Sequence, residues 1–376
     1  MKEMSIVIVG AGPIGCYVGQ LLTRQGYRVR IIEEHNEIGK PVHCAGLIGK
    51  KVLDEMRIPF PRESVLNRID GGIVHLNGDC FRLRREEVAY VIDREKFDKA
   101  MGAGLNVTYG TRCVGIEENG RGYILETDRG EIKADAIIGA DGAHSAVREY
   151  VHQKTPVEYL KGVQFRMEQA PSDINMVEIF LKKPYFFWSI PENEKIVRVG
   201  VLSRNPYYDL LDFIKERGFQ GRVIEKFAGL VPFSHFSTFS KGNVFLVGDS
   251  AAQIKPLSYG GVYLGMRAAE LLADCLCSER HQEYSSLWKR RFGRELAITL
   301  KARRYFHTLS EEDLERIFFF VKDNTSLIEE KADFENHAVM VWEFLKRPNV
   351  SKEILSILLK LVKNNFFQNE VNYATK

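Results

Sequence analysis

At roughly 150 residues per domain, a chain of 376 residues should hold two or three domains. Hydrophobic residues at 45%, charged at 27% and aromatic at 11% give a globular composition, which excludes a wholly disordered or collagen-like chain. A surplus of +3, from 53 basic against 50 acidic residues, gives no support to a nucleic-acid binder, whose domains carry a strongly basic footprint. No stretch approaches the ~18 uninterrupted apolar residues of a spanning helix; the richest late run, 354–362, is broken by Lys360. The opening Met1-Lys2-Glu3-Met4 carries no secretory signal. The six cysteines (16, 44, 80, 113, 275, 277) lack Cys-x-x-Cys pairs, so neither a metal site nor a disulfide framework is expected. A reducing compartment follows: the cytoplasm, or the cytoplasmic face of a membrane.

The first element is Ser5 to Val9, a β-branched run suited to a strand buried on both faces. Gly10-Ala11-Gly12-Pro13-Ile14-Gly15 follows, a Gly-x-Gly-x-x-Gly pattern. Ile14, Tyr17, Val18, Leu21 and Leu22 then share a helical stripe, which Gly26 should stop. Val29 and Ile31 alternate into a second strand ending at Glu33. Each residue has a physical task. Gly10 permits a tight turn, Gly12 lets a pyrophosphate approach the backbone, and Gly15 allows close helix–strand packing. The helix N-terminus offers free N–H groups to the anion, and Glu33, favoured over Glu34 by strand alternation, accepts ribose hydroxyls. Lone glycines would mark only turns; in this context they predict a dinucleotide site.

Further along, Val91-Ile-Asp-Arg-Glu-Lys-Phe-Asp98 places an acid–arginine pair at the start of a helix. Gly102-Ala103-Gly104 reads as that helix's end, not as a second phosphate cradle. Asp135 to Arg148 is an apolar strand, then Asp141-Gly142, then a helix start. Asn243 to Ser250 repeats strand-then-Gly-Asp, and Gly260-Gly261 precede another helical stretch. Together these resemble the flavoproteins that include aromatic hydroxylases and geranylgeranyl reductases, over roughly residues 4–50, 90–148 and 242–275. The resemblance implies FAD held non-covalently. It implies that Asp249 lies near the ribityl or pyrophosphate group, that Gly261 and Val262 start a helix beside the flavin ring, and that Arg94 contacts the cofactor. Cys113, on a strand read as Val107 to Ile116, is a weaker match to a position whose backbone meets adenine.

Three segments narrow the resemblance. Gln253 stands where hydroxylases usually have histidine, and Lys255-Pro256 with Gly260-Gly261-Val262-Tyr263 looks like the geranylgeranyl reductase version. Gly39 to Ile48 is similar to the reductases' cysteine-containing loop, so Cys44 and Ala45 would approach the flavin, with Cys44 a candidate catalytic, proton-handling residue. A cysteine is as readily an inert small hydrophobe, and that alternative stands beside it. Lys183-Pro-Tyr-Phe-Phe-Trp-Ser-Ile-Pro191 is similar to the reductases' Tyr-x-Trp-x-Phe-Pro, with Phe186 and Ile190 replacing the outer aromatics. On a strand, Phe186, Trp188 and Ile190 share one face and could line an apolar tunnel for a prenyl substrate. An ordinary core strand is the plainer alternative.

The implied class is α/β: a Rossmann-like FAD-binding domain, a β-sheet substrate domain and C-terminal helices. The expected boundaries are 1–60, 90–155 and 240–300 for a discontinuous FAD domain. Residues 61–89 and 156–239 would form an antiparallel sheet lid, and 301–376 a helical region. NAD(P)H or a reduced electron-carrier protein would supply electrons by transient docking. The basic clusters Arg82/Arg84/Arg85, Lys289/Arg290/Arg291/Arg294 and Arg303/Arg304 are read first as solvated faces, with an anionic headgroup site as the sharper alternative. Ile354, Leu355, Leu358, Leu359 and Val362 are read as core, while Phe366-Phe367 leaves peripheral membrane contact open. The expected activity is saturation of isoprenoid carbon–carbon double bonds, as free lipid or diphosphate. The alternatives are a flavin monooxygenase or halogenase, and an electron-transfer flavoprotein:quinone-type oxidoreductase.

Overall fold

The structure is a computed structural model and describes residues 4–120, 122–152, 155–234, 236–347 and 352–362. Ser5–Val9 is the predicted strand, buried from Ile6 onward. Among the described residues it belongs to a six-stranded sheet. The order is Ser240–Lys241, Val244–Leu246, Ala136–Gly139, Ser5–Val9, Arg28–Ile32 and Val107–Thr108, parallel except for the first pair. Parallel strands need both faces covered. Helix Pro13–Arg24 covers one side and packs against helices Arg94–Gly102 and Val262–Cys277. Proline at the first helical position and Gly26 at φ +82° punctuate the first helix as predicted.

The stretch 107–116 is not one strand. Gly110 adopts φ +57° and its N–H donates to the His35 carbonyl. The chain therefore turns after Val107–Thr108, and Cys113–Asn119 starts a separate three-stranded antiparallel sheet with Gly122–Thr127 and Gly130–Ala134.

The second large sheet has eight strands. They run Val223–Phe233, Glu158–Glu168, Ile196–Ser203, Tyr185–Asn193, Met176–Lys182, Val65–Leu76, Asp79–Ile92 and Leu47–Gly49. The expected antiparallel arrangement holds except between Met176–Lys182 and Val65–Leu76, which are parallel. Asp79–Ile92 escaped prediction because its middle, Arg82 to Glu87, is charged and largely exposed. Leu47–Gly49, from within residues 1–60, pairs with this sheet.

Helices Tyr284–Thr308, Glu311–Lys322, Thr325–Lys331, Ala338–Leu345 and Lys352–Val362 close one face of the second sheet, where Phe81 packs against Phe318 at 4.9 Å. Ser310 caps its helix, its Oγ accepting from the Asp313 N–H at 3.0 Å. Phe366-Phe367 lies outside the described residues. Among those described, no helix is long and apolar enough to cross a membrane, and no His/Cys/Asp/Glu group is arranged to hold a metal. All six cysteines are free thiols.

Candidate active site

One cavity of about 1190 Å³ runs between the two large sheets, and every predicted site residue except Gly15 lines it. At the glycine loop the geometry follows the assigned tasks. Gly10 has φ +97°, and a side chain there would meet the Ala140 carbonyl at 2.5 Å; one at Gly15 would meet the Gly10 carbonyl at 2.0 Å. A methyl on Gly12 would meet nothing within 4 Å, so that position faces open cavity. Glu33 is buried; its Oε2 accepts the Ala11 N–H at 2.7 Å and its Oε1 the His35 N–H at 3.0 Å. Helices Pro13–Arg24 and Val262–Cys277 both start at the cavity without a side-chain cap and without an acid in the first turn. Their free N–H groups leave two positive ends facing the same space.

Arg94 reaches in from the third wall. Its guanidinium forms a two-pronged pair with Asp98, Nε to Oδ1 at 3.0 Å and Nη2 to Oδ2 at 2.9 Å. Burial alone would lower the Arg94 pKa, but Asp98 and the adjacent Cys44 sulfur outweigh it and raise it. The Cys44 Sγ accepts the Gly46 N–H at 3.3 Å. Burial pushes the Asp249 carboxyl upward, with Arg94 and Arg148 opposing. Arg148 holds the neighbouring turn, donating to the Ser250 carbonyl at 3.2 Å and to Tyr159 at 2.8 Å. Burial also pushes Asp141 up to about 6, opposed by hydrogen bonds from Ser145 and Val147, and Cys113 up to about 12.

Beyond this crevice the walls turn apolar. Phe186, Trp188 and Ile190 project into the cavity, while Phe187 between them turns away to stack on Phe213 at 4.3 Å. Trp188 fits because Gly200 stands opposite on the next strand; a methyl there would meet the indole at 2.4 Å. The indole N–H donates to Gln164 Oε1 at 2.9 Å. The cavity continues past Leu309 and Leu314 to Phe320, Phe344, Ile354 and Leu358.

Residues 8–51 match the NAD(P)-binding Rossmann-like domain family. An uncharacterised protein of Methanocaldococcus jannaschii is 31% identical, with 92% of this chain and 95% of that protein aligned. The digeranylgeranylglycerophospholipid reductase of Methanothrix thermoacetophila is 31% identical over 84% of this chain and 91% of its own. The chain belongs to the geranylgeranyl reductase family of flavoproteins. A solved geranylgeranyl bacteriochlorophyll reductase-like protein of Thermoplasma acidophilum shares the fold, with a TM-score of 0.78 at 22% identity over 90% of this chain and 98% of its own.

As a member of that family the protein is an oxidoreductase with a flavoprotein's α/β architecture, and its residues fit the cofactor. Gly12 leaves the backbone open, Glu33 sits at the end of the second strand, and two uncapped helices face the gap. Sequence reasoning missed Asp98, Gln164, Gly200 and Arg303. Asp98 was legible as the i+4 partner of Arg94. Gln164 and Gly200 act across strands and left no local signal. Arg303, read first as part of a solvated cluster with an anionic headgroup site as the alternative, is buried, with its guanidinium 4.0 Å over the Phe233 ring; Arg82 and Arg84 are exposed as expected. Ile354 and Leu358 are buried, whereas Leu359 is exposed. Glu33→Ala is expected to weaken FAD retention about tenfold or more, the ~1.4 kcal/mol of one charged hydrogen bond, with the fold recoverable in excess FAD. An unchanged FAD dissociation constant would remove Glu33 from the site.

Proposed function

We propose that the enzyme saturates carbon–carbon double bonds of geranylgeranyl chains carried by a lipid or diphosphate. The observation that supports this most is the continuity of the cavity, from the glycine loop to an apolar tunnel between the second sheet and the C-terminal helices. In this reading Gly10, Gly12, Ile14, Gly15 and Glu33 hold the adenosine and pyrophosphate end of FAD. Cys113 stands at the adenine side, and Arg94 and Asp249 stand at the middle. Cys44, Ala45, Gly261 and Val262 surround the ring. Bound FAD, once reduced by NAD(P)H or an electron-carrier protein, supplies hydride. The residues do the rest. Phe186, Trp188 and Ile190 orient the alkene and keep water from it. Gln164 takes up the indole N–H, so Trp188 presents an apolar surface to the chain. Arg94 and Asp98 balance each other's charge beside Cys44.

Burying each methylene contributes roughly 0.8 kcal/mol before ordering costs, so chain length should govern affinity. Long prenyl substrates are expected to outcompete short ones, and Trp188→Ala to raise KM about tenfold or more, the ~1.5–3 kcal/mol of a large apolar contact, with flavin reduction unaffected. The test is mass spectrometry of prenyl lipids of graded length after anaerobic incubation with chemically reduced enzyme. Failure to saturate any of them, with oxygenated or halogenated product once oxygen is admitted, would replace this reading with the monooxygenase one.

A further inference from the structure

Tyr259 has a backbone φ of +61°. A bulky non-glycine residue keeps that left-handed conformation only where its surroundings enforce it, and such strain collects at functional sites. Here the enforcing elements are visible. The Tyr259 N–H donates to the Lys255 carbonyl at 2.9 Å, and the Lys255 N–H to the Gly260 carbonyl at 3.0 Å. Lys255 is itself fixed, its Nζ donating to Glu335 at 2.7 Å and to the Phe334 carbonyl at 3.0 Å. The strained turn aims the phenol ring into the cavity. There it stacks on Phe186 at 5.5 Å with planes 3° apart and meets Phe233 edge-on at 5.8 Å. Two residues later Gly261 begins the helix whose N-terminus faces the same space.

A phenylalanine would make the same ring contacts, so the hydroxyl needs its own account. Beside it lies Arg303, buried, paired to Glu158 at 3.1 Å, and leaving its Nε without a hydrogen-bond partner among the described residues. Alkene reduction consumes one proton per bond, and between apolar walls a resident acid is the direct source of it. We propose that Tyr259 is that acid, with the Arg303 guanidinium holding the phenolate it leaves behind.

This rests on the reductase reading above. One alkene carbon gains a hydride from the reduced flavin, and its neighbour gains the proton from Tyr259 Oη. The π bond is replaced by two C–H bonds, the flavin ends oxidised by two electrons, and water reprotonates the phenolate. Burial raises the phenol's pKa and Arg303 opposes that rise, with Glu158 and Tyr185 the other titratable groups facing it. An acid that stays protonated across neutral pH, yet has a cation ready for its conjugate base, suits the step.

The test compares wild type with Tyr259→Phe, anaerobically, with chemically reduced enzyme and a geranylgeranyl lipid. Saturated product should form about a hundredfold more slowly in the variant, within the usual range for loss of a general acid. KM for the lipid, FAD affinity and the rate of flavin reduction should stay unchanged. The alkaline fall of the wild-type rate should vanish, and ultraviolet titration of the two proteins without lipid should show one tyrosinate fewer in the variant over that same pH range. Saturation at the wild-type rate, or a loss matched by an equal rise in KM, would overturn the assignment. If the wild type saturates nothing, the reductase reading falls, and this assignment with it.

Discussion

Glu335→Ala is expected to lower the free energy of unfolding by about 3–5 kcal/mol, the usual cost of leaving one member of a buried ion pair behind. Glu335 and Lys255 are both almost wholly buried, 80 residues apart in sequence, with Nζ and Oε2 2.7 Å apart. Without the carboxylate the ammonium keeps, among the described residues, the Phe334 carbonyl and the Phe334 ring, 4.5 Å away. Gly49 packs directly on the carboxylate; even a methyl there would approach Glu335 Oε1 to 2.1 Å. The control is Glu216→Ala, which breaks an exposed pair with Lys182 and should change stability by no more than about 1 kcal/mol. Denaturant unfolding of both variants decides it, and equal effects would mean the buried pair contributes nothing special. The adjoining His337 adds a pH signature. Burial first, and the Lys255 charge second, push it down to about 4. A histidine held neutral in the fold binds its proton more readily when unfolded. Stability should therefore fall as pH drops below the ordinary value near 6.5, and continue falling until about 4.

The second large effect separates two glycines of one motif. Gly12→Ala should leave the unliganded protein within about 0.5 kcal/mol of wild-type stability, because its φ of −65° suits any residue and the added methyl meets nothing within 4 Å. FAD affinity should nonetheless drop about a hundredfold, the equivalent of ~3 kcal/mol, since the methyl occupies the space through which a pyrophosphate approaches. Gly15→Ala should do the reverse. Its methyl would sit 2.0 Å from the Gly10 carbonyl, so the helix must lift off the strand, at a cost of roughly 1–3 kcal/mol or more, before any ligand arrives. Thermal unfolding without FAD and a flavin titration, run on both variants, distinguish the two. A Gly12→Ala protein that binds FAD normally would show that the pyrophosphate does not pass there.

The nucleotide half was legible because its signals are local. Strand Ser5–Val9, Gly10, Gly12, Gly15 and Glu33 lie within 29 residues, and each task depends on neighbours a few positions away. Trp188 was legible by alternation, which placed it with Phe186 and Ile190 on one face. The supports of that face were not. Gly200 makes room for the indole and Gln164 receives its N–H, but both belong to other strands, and register cannot be read from either strand alone. Arg303 looked solvated because its sequence neighbours are basic; tertiary packing under Phe233 decided otherwise. The split at Gly110 was hidden for a different reason. Val107 to Ile116 has strand-like composition on both sides of the turn, and only the left-handed glycine divides it.

The parallel join between Val65–Leu76 and Met176–Lys182 sets a timetable for synthesis. A parallel partner cannot arrive by a tight hairpin; here it waits for the intervening chain, which includes helix Arg94–Gly102 and the strands Val107–Thr108 and Ala136–Gly139 of the other sheet. At roughly 5–20 residues per second, the ribosome needs several seconds to cover that distance. Throughout that interval the nascent hairpin Val65–Ile92 presents a bare strand edge, the kind that recruits other chains. The charged stretch from Arg82 to Glu87, which hid its strand from pattern reading, keeps the hairpin hydrated, and such charges oppose stacking against a second copy on a crowded polysome.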